Sequence, residues 1–146
     1  MDVVSAVASL TTLITFALQS SQVLFQTANA VIDGPCQVVR FAGQVETLRR
    51  MLNRMAELVV KGKQASHSEN TSVFAEIKSS IQMCVEYLQR LQAKMSKLQA
   101  AVTSNNLRRI GSIVKIILGS KDFEEMEKIV PYHVQVLNTQ LSIFGT

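Results

Sequence analysis

The sequence is poor in the residues that punctuate β-structure. It has no tryptophan, two prolines and six glycines in 146 residues, too few turn residues for a many-stranded sheet. Apolar residues make up 47% of the chain and charged residues 18%, a balance that excludes a disordered tail and is typical of a helical domain. This length suits one hydrophobic core and not two. We therefore expect residues 1–146 to form a single all-α domain belonging to a longer protein.

Residues suited to catalysis are also scarce. The two histidines, His67 and His133, lie far apart, and no motif pairs either of them with Cys36 or Cys84. The cysteines have no CxxC spacing, and we expect both to be buried free thiols in a reducing cytosol. The acidic run 122–127 fits the positive end of a helix dipole better than a metal site. The sequence predicts no enzyme, no catalytic residue, no metal and no cofactor.

Hydrophobic stripes at spacings of three and four residues predict about five helices. The stripe of the second helix is Val38, Phe41, Val45, Leu48, Leu52, Met55 and Val59. The third helix is unusually long, and its stripe is Val73, Ile77, Ile81, Cys84, Leu88, Leu91, Met95, Leu98 and Val102. The stripe of the last helix is Phe123, Met126, Val130, His133, Leu137 and Phe144. We expect a four-helix-bundle-like core. A short additional helix over 107–118 should precede the last helix.

Four sites indicate where these helices begin, end or bend. Asp33-Gly34-Pro35 separates the first two helices, since Gly ends one and Pro suits the first turn of the next. Lys61-Gly62-Lys63 should end the second helix, with a polar loop at 67–70. Ser120 or Asp122 should cap the last helix, and Pro131 should kink or interrupt it.

No charged residue occurs from Val3 to Ile32. A signal peptide would need a basic region before the apolar run, and the only charge there is Asp2. A constitutive membrane span would be more apolar, because twelve Ser, Thr, Gln and Asn residues dilute this segment. Two hypotheses remain open on composition. The segment is either the central helix of a soluble bundle, wrapped by its neighbours, or a helix that can leave the bundle for a membrane.

Basic residues are concentrated in the second helix. Between Gly34 and Ser68 there are six Lys or Arg and two acidic residues. We expect contacts with anionic lipid headgroups from Arg49, Arg50, Arg54, Lys61 and Lys63. The alternative is an ordinary solvated helix face. A nucleic-acid ligand is not expected, because a pI near 9.3 comes without any recognised binding motif.

Three segments resemble fungal HeLo-like domains, which stand at the front of fungal NOD-like receptors and related cell-death executors. The first is the opening Met1-Asp2-Val3-Val4-Ser5-Ala6-Val7-Ala8-Ser9-Leu10. The second is Asp33-Gly34-Pro35 followed by Val45, Glu46, Leu48, Leu52 and Leu58. The third is Leu107-Arg108-Arg109-Ile110 to Leu118 with Phe123 to Leu141, which lacks the tryptophan often found in the family. Together they cover essentially the whole chain.

This resemblance implies a role in membrane-targeted programmed cell death or heterokaryon incompatibility. The N-terminal helix would insert into the plasma membrane and permeabilise it once the domain, cytoplasmic when inactive, oligomerises. The inserting residues would be Val3, Val4, Val7, Leu10, Leu13, Ile14 and Leu18. The implied partners are anionic phospholipids, further copies of the domain, and an upstream NOD-like receptor or amyloid-motif protein. The alternative function is a non-lytic signalling module of such a receptor, acting through helix–helix contacts.

Overall fold

The computed structural model describes residues 3–30, 36–65, 69–96, 100 and 119–144. These residues form four helices: α1 (Val3–Asn29), α2 (Cys36–Ala65), α3 (Glu69–Lys94) and α4 (Ser120–Phe144). Within these ranges no residue belongs to a β-strand, and the all-α prediction is confirmed. The predicted short helix over 107–118 lies outside the described residues.

The predicted stripes form the core of the bundle. All seven stripe residues of α2 are buried. The stripe positions from Ile77 to Leu91 of α3, Met95 just after α3, and the stripe positions from Phe123 to Leu137 of α4 are buried as well. Leu48, Leu52 and Ile81 are completely inaccessible to solvent. Burying one such side chain stabilises the fold by about 1.5–3 kcal/mol relative to leaving it exposed. The core thus follows from hydrophobic periodicity.

Among the described residues, helix α1 packs against its neighbours with one face. It lies against α2 and α3, with a buried face that includes Leu10, Ile14 and Leu24. The opposite face, which includes Thr12 and Thr15, is exposed to solvent. Within the described residues α1 therefore has one buried face and one exposed face, and its release to a membrane stays a prediction. Uncharged polar residues, rather than charged ones, form its outer face.

The contacts between helices fix their directions. Residues 18–23 of α1 lie beside 49–53 of α2, while 25–29 lie beside 39–50, so α1 and α2 are antiparallel. Arg40 of α2 forms an ion pair with Glu127 of α4 at 3.1 Å. Further along both helices, Leu58 lies beside Leu141, so α2 and α4 are parallel.

Helix α3 runs antiparallel to α4. Lys94 at the end of α3 pairs with Asp122 at the start of α4, and Gln140 donates a hydrogen bond to the Ser80 hydroxyl at 2.7 Å. The chain therefore runs up, down, up and down. The N-terminal half of α1 and the C-terminal halves of α2 and α4 lie at the same end of the bundle, which we call the basal end.

Two predicted helix boundaries are wrong. Helix α2 continues through Gly62 to Ala65, and α3 begins at Glu69, within the segment expected to be a loop. Helix α4 continues through Pro131, so the alternative that this proline interrupts the helix is wrong, although proline cannot donate the hydrogen bond that this turn would otherwise make. Val130 and Leu137 are buried on either side of it, and their packing holds both halves in one helix.

The start of α4 differs from the expected cap. Gly119 precedes the helix, and its carbonyl accepts the first helical hydrogen bond from the Phe123 N–H at 3.2 Å. The Asp122 carboxylate accepts a hydrogen bond from the Gly119 N–H at 3.0 Å. Asp122 therefore occupies the third helical position and reaches back to the capping residue, which satisfies a backbone donor that the helix itself cannot.

Candidate membrane-binding surface

The seven residues expected to enter a membrane all belong to α1. Val7, Leu10 and Ile14 are buried in the core, and Leu13 and Leu18 are partly buried against it. Val3 and Val4 lie in the first turn of α1, and their side chains are outside the description. In this conformation these described apolar residues of α1 pack in or against the core of the bundle.

The outer face of α1 is uncharged along its whole length. Thr11, Thr12, Thr15 and Gln19 are exposed there, beside Phe16, which keeps 47% of its surface accessible. The Thr12 and Thr15 hydroxyls donate hydrogen bonds to carbonyls four residues earlier in α1, at 3.0 and 2.9 Å. Such hydroxyls are satisfied within the helix and do not depend on solvent. This face can be dehydrated at a lower cost than its composition suggests.

Arg49 is directed toward α1. Its guanidinium donates to Gln22 Oε1 of α1 at 2.8 Å and to both carboxylate oxygens of Glu46 at 2.8 and 2.9 Å. The same group lies 5.8 Å from the centre of the Phe25 ring. Hydrogen bonds from Arg49 hold the pKa of Glu46 below its ordinary value, and the carboxylate raises the pKa of Arg49. Arg49 therefore joins α1 to α2, and its lipid contact remains a prediction.

Three of the other predicted lipid contacts share one ridge. Arg50, Arg54 and Lys61 are exposed on α2, and separations of four and seven residues place them on one side of the helix. We call these residues the basic ridge. Arg50 also lies 3.6 Å from Glu46. Lys63 belongs to α2, and its side chain is outside the description. Of the five predicted lipid contacts, three thus lie on one ridge of α2, whereas Arg49 contacts α1.

A groove of about 350 Å³ separates the basic ridge from α4 at the basal end. Arg54 and Lys61 line it from α2, and Asn138 and Ser142 line it from α4. Sequence reasoning missed the contribution of α4. One signal was available, because Ile129–Phe144 contains no Asp, Glu, Lys or Arg.

The remaining reactive groups are scattered. Cys36 is exposed, so the expectation of two buried thiols is wrong; its position at the first residue of α2 leaves it outside the core. Cys84 is buried, and burial raises the pKa of its thiol to about 12. His133 is buried with its ring 5.8 Å from that of Tyr87, and burial lowers its pKa. Across the part of the chain that the structure describes, no three His, Cys, Asp or Glu residues are grouped to hold a metal. His67 lies outside it.

One described helix is long and apolar enough to cross a membrane. The segment spans Val7–Asn29 within α1, and 39% of its most apolar window is buried in the bundle. The core helix of a soluble protein and a signal sequence would satisfy the same length and composition criteria.

Comparison with known proteins gives one family match. No curated protein and no solved structure matches the chain significantly. Residues 1–126 match the family model described as "Pigment biosynthesis cluster protein PigL N-terminal". This match covers α1, α2, α3 and the first turns of α4. The chain therefore belongs to the PigL N-terminal family.

Proposed function

We propose that this chain is a HeLo-like, membrane-targeting domain whose α1 leaves the bundle and inserts into a lipid bilayer once several copies assemble. The observation that carries this proposal is α1 itself. It has 27 residues, no charge and a solvent-exposed outer face. A helix this long measures about 40 Å at 1.5 Å per residue, more than the hydrocarbon thickness of a bilayer.

The hydrogen bonds of α1 favour the transfer. Backbone groups in a helix are already paired, and the Thr12 and Thr15 hydroxyls are paired with carbonyls of the same helix. The apolar face that leaves the core would be covered again by lipid. Four amides, Gln19, Gln22, Gln26 and Asn29, lie in the last eleven residues. The N-terminal half is thus the part better suited to the bilayer centre.

The basic ridge supplies attraction to anionic lipid. Each Lys or Arg near an anionic membrane surface contributes about 1 kcal/mol. Arg54 and Lys61 lie at the basal end, where α1 begins, so lipid binding there brings the start of α1 to the bilayer. In this proposal the domain is cytoplasmic before activation and acts at the plasma membrane afterwards. Permeabilisation there would kill the cell, and a NOD-like receptor or an amyloid-motif partner would bring the copies together.

A non-lytic signalling module is the second candidate. The observation that favours it is the packing of α1, since Leu10, Ala17 and Leu24 are almost completely buried against the neighbouring helices. In this case α1 stays in place, and its uncharged outer face contacts another helical protein. The two candidates differ in whether α1 must enter lipid.

A lysine on the outer face of α1 separates the two functions. Thr15 and Thr47 form a matched pair, because both are exposed and both hydroxyls donate to a carbonyl four residues earlier, at 2.9 and 3.1 Å. Thr15→Lys places a charge on α1, and Thr47→Lys adds the same charge to α2. Neither lysine would be buried in the soluble bundle, because both positions are exposed. A lysine at the bilayer centre costs about 2.5–3.5 kcal/mol.

The measurement is dye leakage from phosphatidylcholine–phosphatidylserine vesicles by domain forced to oligomerise, alongside killing of fungal cells that express each variant. We expect Thr15→Lys to abolish both activities and Thr47→Lys to retain them, with equal helicity and melting temperature. Val4→Lys should act like Thr15→Lys, whereas removal of residues 2–7 should also lower the melting temperature, because it takes Val7 out of the core. If a folded Thr15→Lys domain leaks dye and kills at the parental level, α1 does not insert and the signalling function replaces this proposal.

A further inference from the structure

The C-terminal half of α4 forms a second uncharged surface. Its outward row consists of the exposed residues Tyr132, Gln135, Thr139, Ser142 and Ile143, of which the last two follow Thr139 at three and four positions. The Thr139 and Ser142 hydroxyls donate to carbonyls four residues earlier in α4, at 2.9 and 3.0 Å. This is the pattern found on the outer face of α1. The row can lose contact with water without leaving these hydroxyls unpaired.

Two side chains of this row expose large apolar areas. Tyr132 keeps 53% of its surface accessible and Ile143 keeps 61%. Tyrosine is enriched where protein meets the headgroup layer, because its ring is apolar and its hydroxyl is polar. A row that combines these side chains with small uncharged polar groups is suited to contact with a headgroup layer.

The basic ridge runs alongside this row because α2 and α4 are parallel. The groove between them offers the cations of Arg54 and Lys61 and the amide of Asn138, above Leu58 and Leu141. Glu57 is the one acidic residue among the lining residues. Two cations and one anion leave the groove positive, and the outer row of α4 beside it adds no charge. Donors at the mouth and leucines below suit a phosphate attached to an apolar chain.

We propose that the basic ridge, the groove and the outer row of α4 form one docking surface for an anionic phospholipid bilayer, used while α1 is still packed in the bundle. Arg54 and Lys61 bind lipid phosphates at the groove, and Tyr132 and Ile143 enter the headgroup layer. The choice of partner class rests on the proposed function, but binding at this surface does not require α1 to move. Docking therefore precedes insertion.

A free phosphate ion would account for the groove alone. It would use Arg54 and Lys61 and leave the outer row of α4 without a ligand. A bilayer contacts both surfaces at once, and the row spans about 16 Å at the helical rise. Charge changes in this row therefore distinguish a membrane from a soluble anion.

The experiment measures sedimentation of the unoligomerised domain with vesicles of phosphatidylcholine alone or with phosphatidylserine. Thr139 is exposed, so Thr139→Glu and Thr139→Lys should both fold as the parent does. We expect the glutamate to weaken binding to anionic vesicles about fivefold and the lysine to strengthen it by a similar factor, the effect of one charge at a membrane surface. Arg54→Gln with Lys61→Gln should weaken it about 25-fold. Met83→Glu, at an exposed position of α3, should have no effect.

Inorganic phosphate at 10 mM is the competing arm. If it displaces the domain from vesicles while both Thr139 variants bind like the parent, the groove is a site for soluble anions and the docking surface is wrong. Equal binding by all variants also contradicts it. Thr15→Lys provides the separation from the proposed function, since that variant should bind vesicles normally and fail only in leakage. A docking failure would leave leakage by forced oligomers unexplained but would not exclude insertion of α1.

Discussion

The guanidinium of Arg49 donates a hydrogen bond to the side-chain oxygen of Gln22, 27 residues earlier, at 2.8 Å. This bond crosses the interface between α1 and α2, and Glu46 holds the guanidinium in place from within α2. Gln22 lies in the middle of the polar C-terminal part of α1. Any movement of α1 away from α2 must break this contact.

We predict that Gln22→Ala loosens α1. The loss of one hydrogen bond should lower the free energy of unfolding by roughly 1 kcal/mol and speed amide hydrogen exchange in α1 more than in α4. Arg49→Gln should have the same direction of effect. Arg50→Gln is the control, because Arg50 lies next in sequence with 73% of its side chain exposed. Equal exchange in the Arg49 and Arg50 variants would show that the contact does not restrain α1.

Charge in the core should unfold the domain. Leu52 is completely buried in α2 and Leu91 is 5% exposed in α3. Aspartate at either position would leave an unpaired carboxylate in an apolar environment, a cost comparable with the whole stability of a small domain. Circular dichroism should show lost helicity or aggregation. Val60→Asp is the matched control on α2, since Val60 is 53% exposed and the change should stay within about 0.5 kcal/mol. A Leu52→Asp variant as heat-stable as the parent would place the core elsewhere.

The two cysteines should differ in reactivity. Cys36 is exposed and Cys84 is buried, with the pKa of the Cys84 thiol raised to about 12. Because the thiolate is the reactive form, a thiol reagent at pH 8 should label one cysteine per chain in the native protein and two in denaturant. Cys36→Ser should abolish native labelling. Rapid native labelling of that variant would mean that α3 opens readily around Cys84.

Stability should decline on mild acidification because of His133. Burial lowers its pKa below the ordinary 6.5, so the unfolded chain takes up a proton at a higher pH than the folded one. The contribution of His133 is present above about pH 6.5 and is lost as the pH falls from there toward the folded-state pKa, at up to about 1.4 kcal/mol per pH unit. His133→Phe keeps a ring beside Tyr87. The melting temperature of the parent should fall more between pH 7 and 5 than that of this variant, and parallel curves would contradict the prediction.

Periodicity predicted the core but not the surface. The α2 stripe was visible because charged residues lie between Leu48 and Leu52. The buried Leu10 and the exposed Thr12 of α1 are both uncharged, so no charge marks the outer face of that helix. Arg49 and Arg50 are neighbours in sequence yet point about 100° apart on a helix, so one contacts α1 and the other solvent. Gly62 does not end α2. The free-energy penalty of a glycine inside a helix, about 1 kcal/mol, is smaller than the stabilisation that the packing of the preceding turns provides.

The hydrogen bonds of Thr12 and Thr15 have a consequence for temperature. They stay the same whether water, protein or lipid surrounds α1, so at these two positions a transfer to lipid would change mainly the hydration of apolar atoms. The contribution of these positions therefore has little enthalpy near 25 °C and weakens on cooling. Because α1 carries no Asp, Glu, Lys, Arg, His, Cys or Tyr, a change of pH can affect its packing only through titratable groups on neighbouring helices. A change of temperature, by contrast, alters the hydration of α1 itself.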